Sequence, residues 1–88
     1  MYLHAGGDTV IPLREILGIF DLDNVSWSHI TRAALRRAEQ EGRVVNIADD
    51  LPKSMLLCTR NGEERIVLSQ LNSATLLKRA ESDFSTQL

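Results

Sequence analysis

Ser54-Met55-Leu56-Leu57-Cys58-Thr59-Arg60-Asn61-Gly62-Glu63-Glu64-Arg65-Ile66-Val67-Leu68-Ser69 is the stretch that decides the fold. Two apolar runs, 54–59 and 65–69, flank Asn61-Gly62. A type I′ turn needs positive φ at both central residues, and Asn-Gly tolerates that well. The runs therefore read as two strands of one antiparallel hairpin.

Upstream, 48–53 is a loop holding Asp49-Asp50 and Pro52, and 44–47 is a strand. Before them, 26–42 reads as the long helix. Ser26 or Ser28 can cap its first turn, and Gly42 suits the left-handed position that closes it. Trp27, Ile30, Thr31, Ala34, Leu35 and Ala38 recur at helical spacing and define its apolar face. The chain begins with strand 1–4, turn Gly6-Gly7-Asp8 and strand 9–11, which Pro12 ends. Residues 13–15 form a corner into strand 16–22, and 21–24 is a polar turn. Downstream, Asn72 or Ser73 caps a short helix over 74–80, and 81–88 reads as a flexible tail. The expected fold is α+β: a mostly antiparallel sheet, one long helix and a short C-terminal helix, in the order ββ(β)αβββα. One domain covers 1–80.

The 88 residues leave no room for a second domain. A chain this short buries only ~60–65% of the surface it exposes when unfolded. Its core is thin, and self-association is a common remedy. A charged fraction of 25% is ordinary for a globular protein, and a net charge of -2 does not by itself point to a polyanion binder, though charge can still be segregated locally. Cys58 is the only cysteine, so no disulfide framework exists and a reducing, cytoplasmic setting is expected. Residues 1–8 lack signal-peptide character, and no apolar run approaches the ~18 residues a membrane span needs.

The residue patterns that carry catalysis are missing. Gly6-Gly7 is followed by no Gly-Lys-Ser/Thr and reads as a turn. His4 and His29 are too few for a zinc site. Asp49-Asp50 lacks a third carboxylate at calcium-loop spacing, and Asp21 with Asp23 reads as turn chemistry. Cys58 has no basic neighbour in the sequence and reads as a small buried apolar residue. No enzyme activity, metal or cofactor is expected.

Charge segregation says more. On an ideal helix Arg32, Arg36 and Arg43 fall within about a 40° arc, and Arg37 lies about 100° away. Glu39 interrupts the arc. Two readings stand: a solvated face with pairs such as Arg32 or Arg36 to Glu39 or Gln40, or phosphate contacts made by arginine. Arg14, Lys53, Arg60 and Arg65 lie outside the helix, and only a tertiary structure can gather them.

Several segments resemble one family. They are Met1-Tyr2-Leu3-His4-Ala5-Gly6-Gly7-Asp8, Ile11-Pro12-Leu13-Arg14-Glu15-Ile16, Glu41-Gly42-Arg43-Val44-Val45, Pro52-Lys53-Ser54, and the closing Leu68-Ser69 through Ser73-Ala74-Thr75-Leu76-Leu77-Lys78-Arg79-Ala80. The family is that of the bacterial extracellular matrix regulators RemA and RemB, with the RemB-like branch the better match, and the resemblance runs over about residues 1–80. It implies a small cytoplasmic regulator in Gram-positive bacteria, tied to biofilm matrix gene expression. The RemA branch binds DNA, has a fold similar to LytTR domains and assembles into rings. Ile11-Pro12-Leu13-Arg14-Glu15-Ile16-Leu17 also resembles the opening of a LytTR strand.

Carried over by position, the arginine that RemA-like proteins hold before the third strand is Arg14, and the basic residue early in the long helix is Arg32. RemA-like proteins have adjacent arginines in the loop before Ser54; this chain has Leu51-Pro52, with Lys53 the nearby cation. The resemblance thus implies a homo-oligomeric, double-stranded-DNA-binding regulator using Arg14, Arg32, Arg36 and Lys53. The alternative is a protein-interaction module of the same pathway that does not touch DNA.

Overall fold

A computed structural model describes the backbone of residues 1–23 and 28–86, and the side chains of 1–23 and 32–81. Ser26 and Trp27, and the side chains of Ser28, His29, Ile30 and Thr31, fall outside the described residues.

The Asn61-Gly62 hairpin forms as the sequence dictates. Strands β5 (Ser54–Arg60) and β6 (Glu63–Ser69) pair antiparallel from Arg60↔Glu63 to Ser54↔Ser69. Asn61 (φ 52°) and Gly62 (φ 82°) form the two-residue loop, both in the positive-φ region such a turn requires. Around this pair the sheet grows to the order β3-β5-β6-β4. Strand β3 (Ile16–Asp21) pairs antiparallel with β5, while β4 (Val44–Asn46) pairs parallel with β6. The sheet is mixed, with its antiparallel pairs in the majority. A separate two-stranded hairpin, β1 (Tyr2–Gly6) and β2 (Thr9–Pro12), leads through a single 3-10 turn, Leu13–Glu15, into β3.

Alternation along β5 and β6 assigns the two faces of the sheet. Met55, Ile66 and Leu68 turn to one side and pack with Ala38 of helix α1 (Ser28–Gln40), with Leu22, Leu35, Val44 and Leu57 around them. Leu56, Cys58 and Val67 turn to the other side and meet Leu3, Ala5 and Ile11 of the hairpin and Leu76 of helix α2 (Ser73–Thr86). The molecule has three layers: α1, the four-stranded sheet, and the β1–β2 hairpin with α2.

Two of the helix ends read from sequence, the close of α1 and the start of α2, are built as expected. The Arg43 N–H donates to the Ala38 carbonyl at 2.8 Å and the Gly42 N–H to that of Glu39 at 3.1 Å, with Gly42 at φ 71°. That is a Schellman closure. Asn72 Oδ1 accepts the Thr75 N–H at 2.8 Å and so caps α2.

Two expectations are corrected. The C-terminal helix is not short: it spans 14 residues against 13 for α1, and stays helical through Thr86. Residues 81–86 are mostly polar but contain no Gly or Pro, and polarity alone does not stop a helix. Ala34 does not belong to the buried face of α1; it is exposed, and Leu35 and Ala38 carry the packing. A three-residue spacing centres the contact between Leu35 and Ala38, which turns Ala34 aside.

Candidate nucleic-acid interface

All four candidate contact residues are exposed: Arg14 on the 3-10 turn, Arg32 and Arg36 on the outer side of α1, and Lys53 ahead of β5. Among the described residues none of the four makes an ion pair. The pairs of Arg32 or Arg36 with Glu39 or Gln40, one of the two readings of this face, do not form among the described residues.

The structure does not bring all four together within one chain. Arg14 precedes Ile16, which pairs with Cys58, while Lys53 precedes Ser54, which pairs with Asp21. They therefore lie at opposite ends of the β3–β5 ladder, separated by roughly 20 Å at about 3.3 Å per residue. Lys53 is fixed there by its backbone: its N–H donates to the Ser69 carbonyl and its carbonyl accepts the Leu22 N–H.

The remaining arginines divide differently. Arg43, which helical spacing placed in the basic arc, is half-buried, pairs with Glu41 at 2.6 Å and donates to the Glu64 carbonyl. Arg60 and Arg65 are drawn to one carboxylate, Glu15, at 3.1 and 3.8 Å. Glu15 is 8% exposed, so its charge needs these partners. Beside them lies an open depression of about 270 Å³ lined by Arg60, Asn61, Glu63 and Arg65. Its two cations share the one Glu15 carboxylate, and Glu63 lines the same depression. Among the described residues Arg14, Lys53, Lys78 and Arg79 are also exposed without an ion pair, and the densest group of such cations is on α1, where Arg37 joins Arg32 and Arg36.

No protein-family model matches the chain. Over 84 residues it is 38% identical to extracellular matrix regulatory protein B of Bacillus subtilis (strain 168), spanning 96% of this chain and 95% of that protein. The chain belongs to the family of extracellular matrix regulatory protein B. A role in matrix regulation, as the resemblance implied, follows from that membership.

In this extracellular matrix regulator, Glu15 is the buried charge-organising residue the sequence reading passed over. It stood as one member of a corner, and its partners lie 45 and 50 positions along the chain. No local pattern announces such a pairing. Cys58 is also sharpened. It does have a basic neighbour, because Arg65 is its cross-strand partner. Burial nevertheless raises the Cys58 thiol above its ordinary value; Arg65 pulls it down and Glu15 adds to the rise. A raised thiol is a poor nucleophile at neutral pH.

Asp21 Oδ1 accepts the Asp23 N–H at 2.8 Å, which is turn chemistry. Asp49 and Asp50 are exposed on the loop after β4, where Gln70 Oε1 accepts the Asp49 N–H. Among the described residues no group of three or more His, Cys, Asp or Glu side chains is placed to hold a metal. No described helix is long and apolar enough to cross a membrane.

Proposed function

We propose that this RemB-like protein is a cytoplasmic DNA-binding transcriptional regulator of extracellular matrix (biofilm) genes that acts as a homo-oligomer and carries out no catalysis. Arg14, Arg32, Arg36 and Lys53 contact phosphates. The observation that carries this reading is their exposure without a carboxylate partner among the described residues, whereas Arg43 pairs with Glu41 and Arg60 and Arg65 share Glu15. Free guanidinium groups suit phosphate oxygens, which they bind in a bidentate fork. The four sites are spread over opposite ends of the sheet and over α1, so a continuous duplex track needs neighbouring copies to supply parts of it. None of the four sits in a groove-reading array, and specificity then comes from DNA shape and half-site spacing.

Salt-dependent duplex binding tests this. Arg14→Ala, Arg32→Ala and Arg36→Ala each remove one cation from the phosphate track. Each should lower the slope of log K against log salt by about one and weaken binding to all sequences alike. Failure to form any complex at micromolar protein and low salt overturns the reading.

A second reading, a protein-interaction module in the same pathway, is favoured by one feature. Leu51, 80% exposed, stands beside Asp49 and Asp50 next to Lys53, and those carboxylates repel phosphate at that end. Light scattering with and without duplex DNA separates the two readings.

A further inference from the structure

The loop between β4 and β5 and the outer side of α1 are complementary in charge. Among the described residues Leu51 is the most exposed of the large apolar side chains, and Asp49 and Asp50 immediately before it are exposed too. On α1, Ala33 is exposed with Arg36 and Arg37 one turn further along and Arg32 beside it. None of these aspartates and arginines makes an ion pair among the described residues. Ala33 is thus a small apolar floor bordered by guanidinium groups, whose aliphatic stems extend its walls. One large apolar side chain directly preceded by two carboxylates suits that floor.

We propose that residues 49–51 of one copy dock on the Arg32–Arg37 side of α1 of a second copy, with Leu51 seated on Ala33 and Asp49 and Asp50 against Arg36 and Arg37. The two surfaces differ, so the contact is head-to-tail and each copy offers both halves. Only its regulatory consequence rests on the proposed DNA site: where Arg36 also serves phosphate, docking competes for it. The contact itself exists without DNA, and its test uses none.

Sedimentation of the full chain at low salt, over a concentration series to about 1 mM, reads the association. The variants are L51D, the pair D49K with D50K, and the pair R36E with R37E. All alter exposed side chains, and circular dichroism checks that each stays folded. We expect wild type to self-associate and each variant to do so at least about tenfold more weakly, with association weakening as salt rises to about 0.5 M. Mixing the D49K/D50K chain with the R36E/R37E chain places a basic loop against an acidic helix, and the acidic loop against the basic helix. That mixture is expected to recover association that neither chain shows alone. A monomeric wild type, variants that associate as wild type does, or a mixture that recovers nothing each overturns the proposal. Loss of DNA binding with self-association intact sinks the DNA reading and leaves this contact standing.

Discussion

Replacing Ser69 with alanine should destabilise this protein far more than a serine-to-alanine change at an ordinary strand position. Ser69 and its cross-strand partner Ser54 are both fully buried. Ser54 Oγ donates to the Leu71 carbonyl at 2.7 Å, and Ser69 Oγ accepts the Leu71 N–H at 3.1 Å. Ser69 Oγ also donates to the carbonyl of Ala5, which ties the β1–β2 hairpin to the four-stranded sheet. Two serines thus hold both ends of the Leu71 residue at the turn into α2. Ser69→Ala removes two hydrogen bonds of about 1 kcal/mol each and leaves the buried Ala5 carbonyl without this donor, at a further cost of about 1–2 kcal/mol. The sum, roughly 3–4 kcal/mol, is a large share of the ~4–13 kcal/mol that a chain of this length holds at 0.05–0.15 kcal/mol per residue. Urea unfolding reads it directly, and the melting midpoint should fall by roughly 12–30 °C at about 4–8 °C per kcal/mol. Ser54→Ala should cost about 1–2 kcal/mol, and the double variant less than the sum, because both hydroxyls grip one residue. A Ser69→Ala midpoint within about 0.5 kcal/mol of wild type, or strict additivity, would refute this account.

Three other perturbations have definite outcomes. Burial raises the Cys58 thiol, so as pH climbs past the ordinary 9.0 the unfolded chain ionises before the folded one. Stability is therefore unaffected by this group below that pH and falls above it, and urea midpoints of wild type should decline more steeply there than those of Cys58→Ala. Gly62→Ala puts a Cβ at φ 82° in the type I′ turn and should cost about 1–2 kcal/mol by chemical denaturation, with the β5–β6 register retained. Gly18→Ala would bring its Cβ to 2.9 Å from two ring atoms of Phe20, so the ring must swing aside. Changed chemical shifts at Phe20 and a destabilisation of about 1 kcal/mol are expected, and an unmoved ring would show the packing is wrong.

The local chemistry of the chain determined its elements. Asn61-Gly62 set the central hairpin, Gly42 closed α1 and Asn72 opened α2, because each signal acts within a few residues of its effect. The alternation of Met55, Leu57, Ile66 and Leu68 against Leu56, Cys58 and Val67 likewise carried the two-faced sheet. The sequence also showed candidate cations and the resemblance to matrix regulators that the 38% identity bears out. The end of α2 was not legible, since a polar segment without a breaker is compatible with either helix or tail. Which cations are free was decided only by the tertiary structure. The burial of Glu15 draws in Arg60 and Arg65 from 45 and 50 positions away, Glu41 and the Glu64 carbonyl hold Arg43, and Arg14, Arg32, Arg36 and Lys53, with Arg37, Lys78 and Arg79, make no ion pair among the described residues. Opposite charges meet through folded space, and helical spacing or position along the chain carries no record of that meeting.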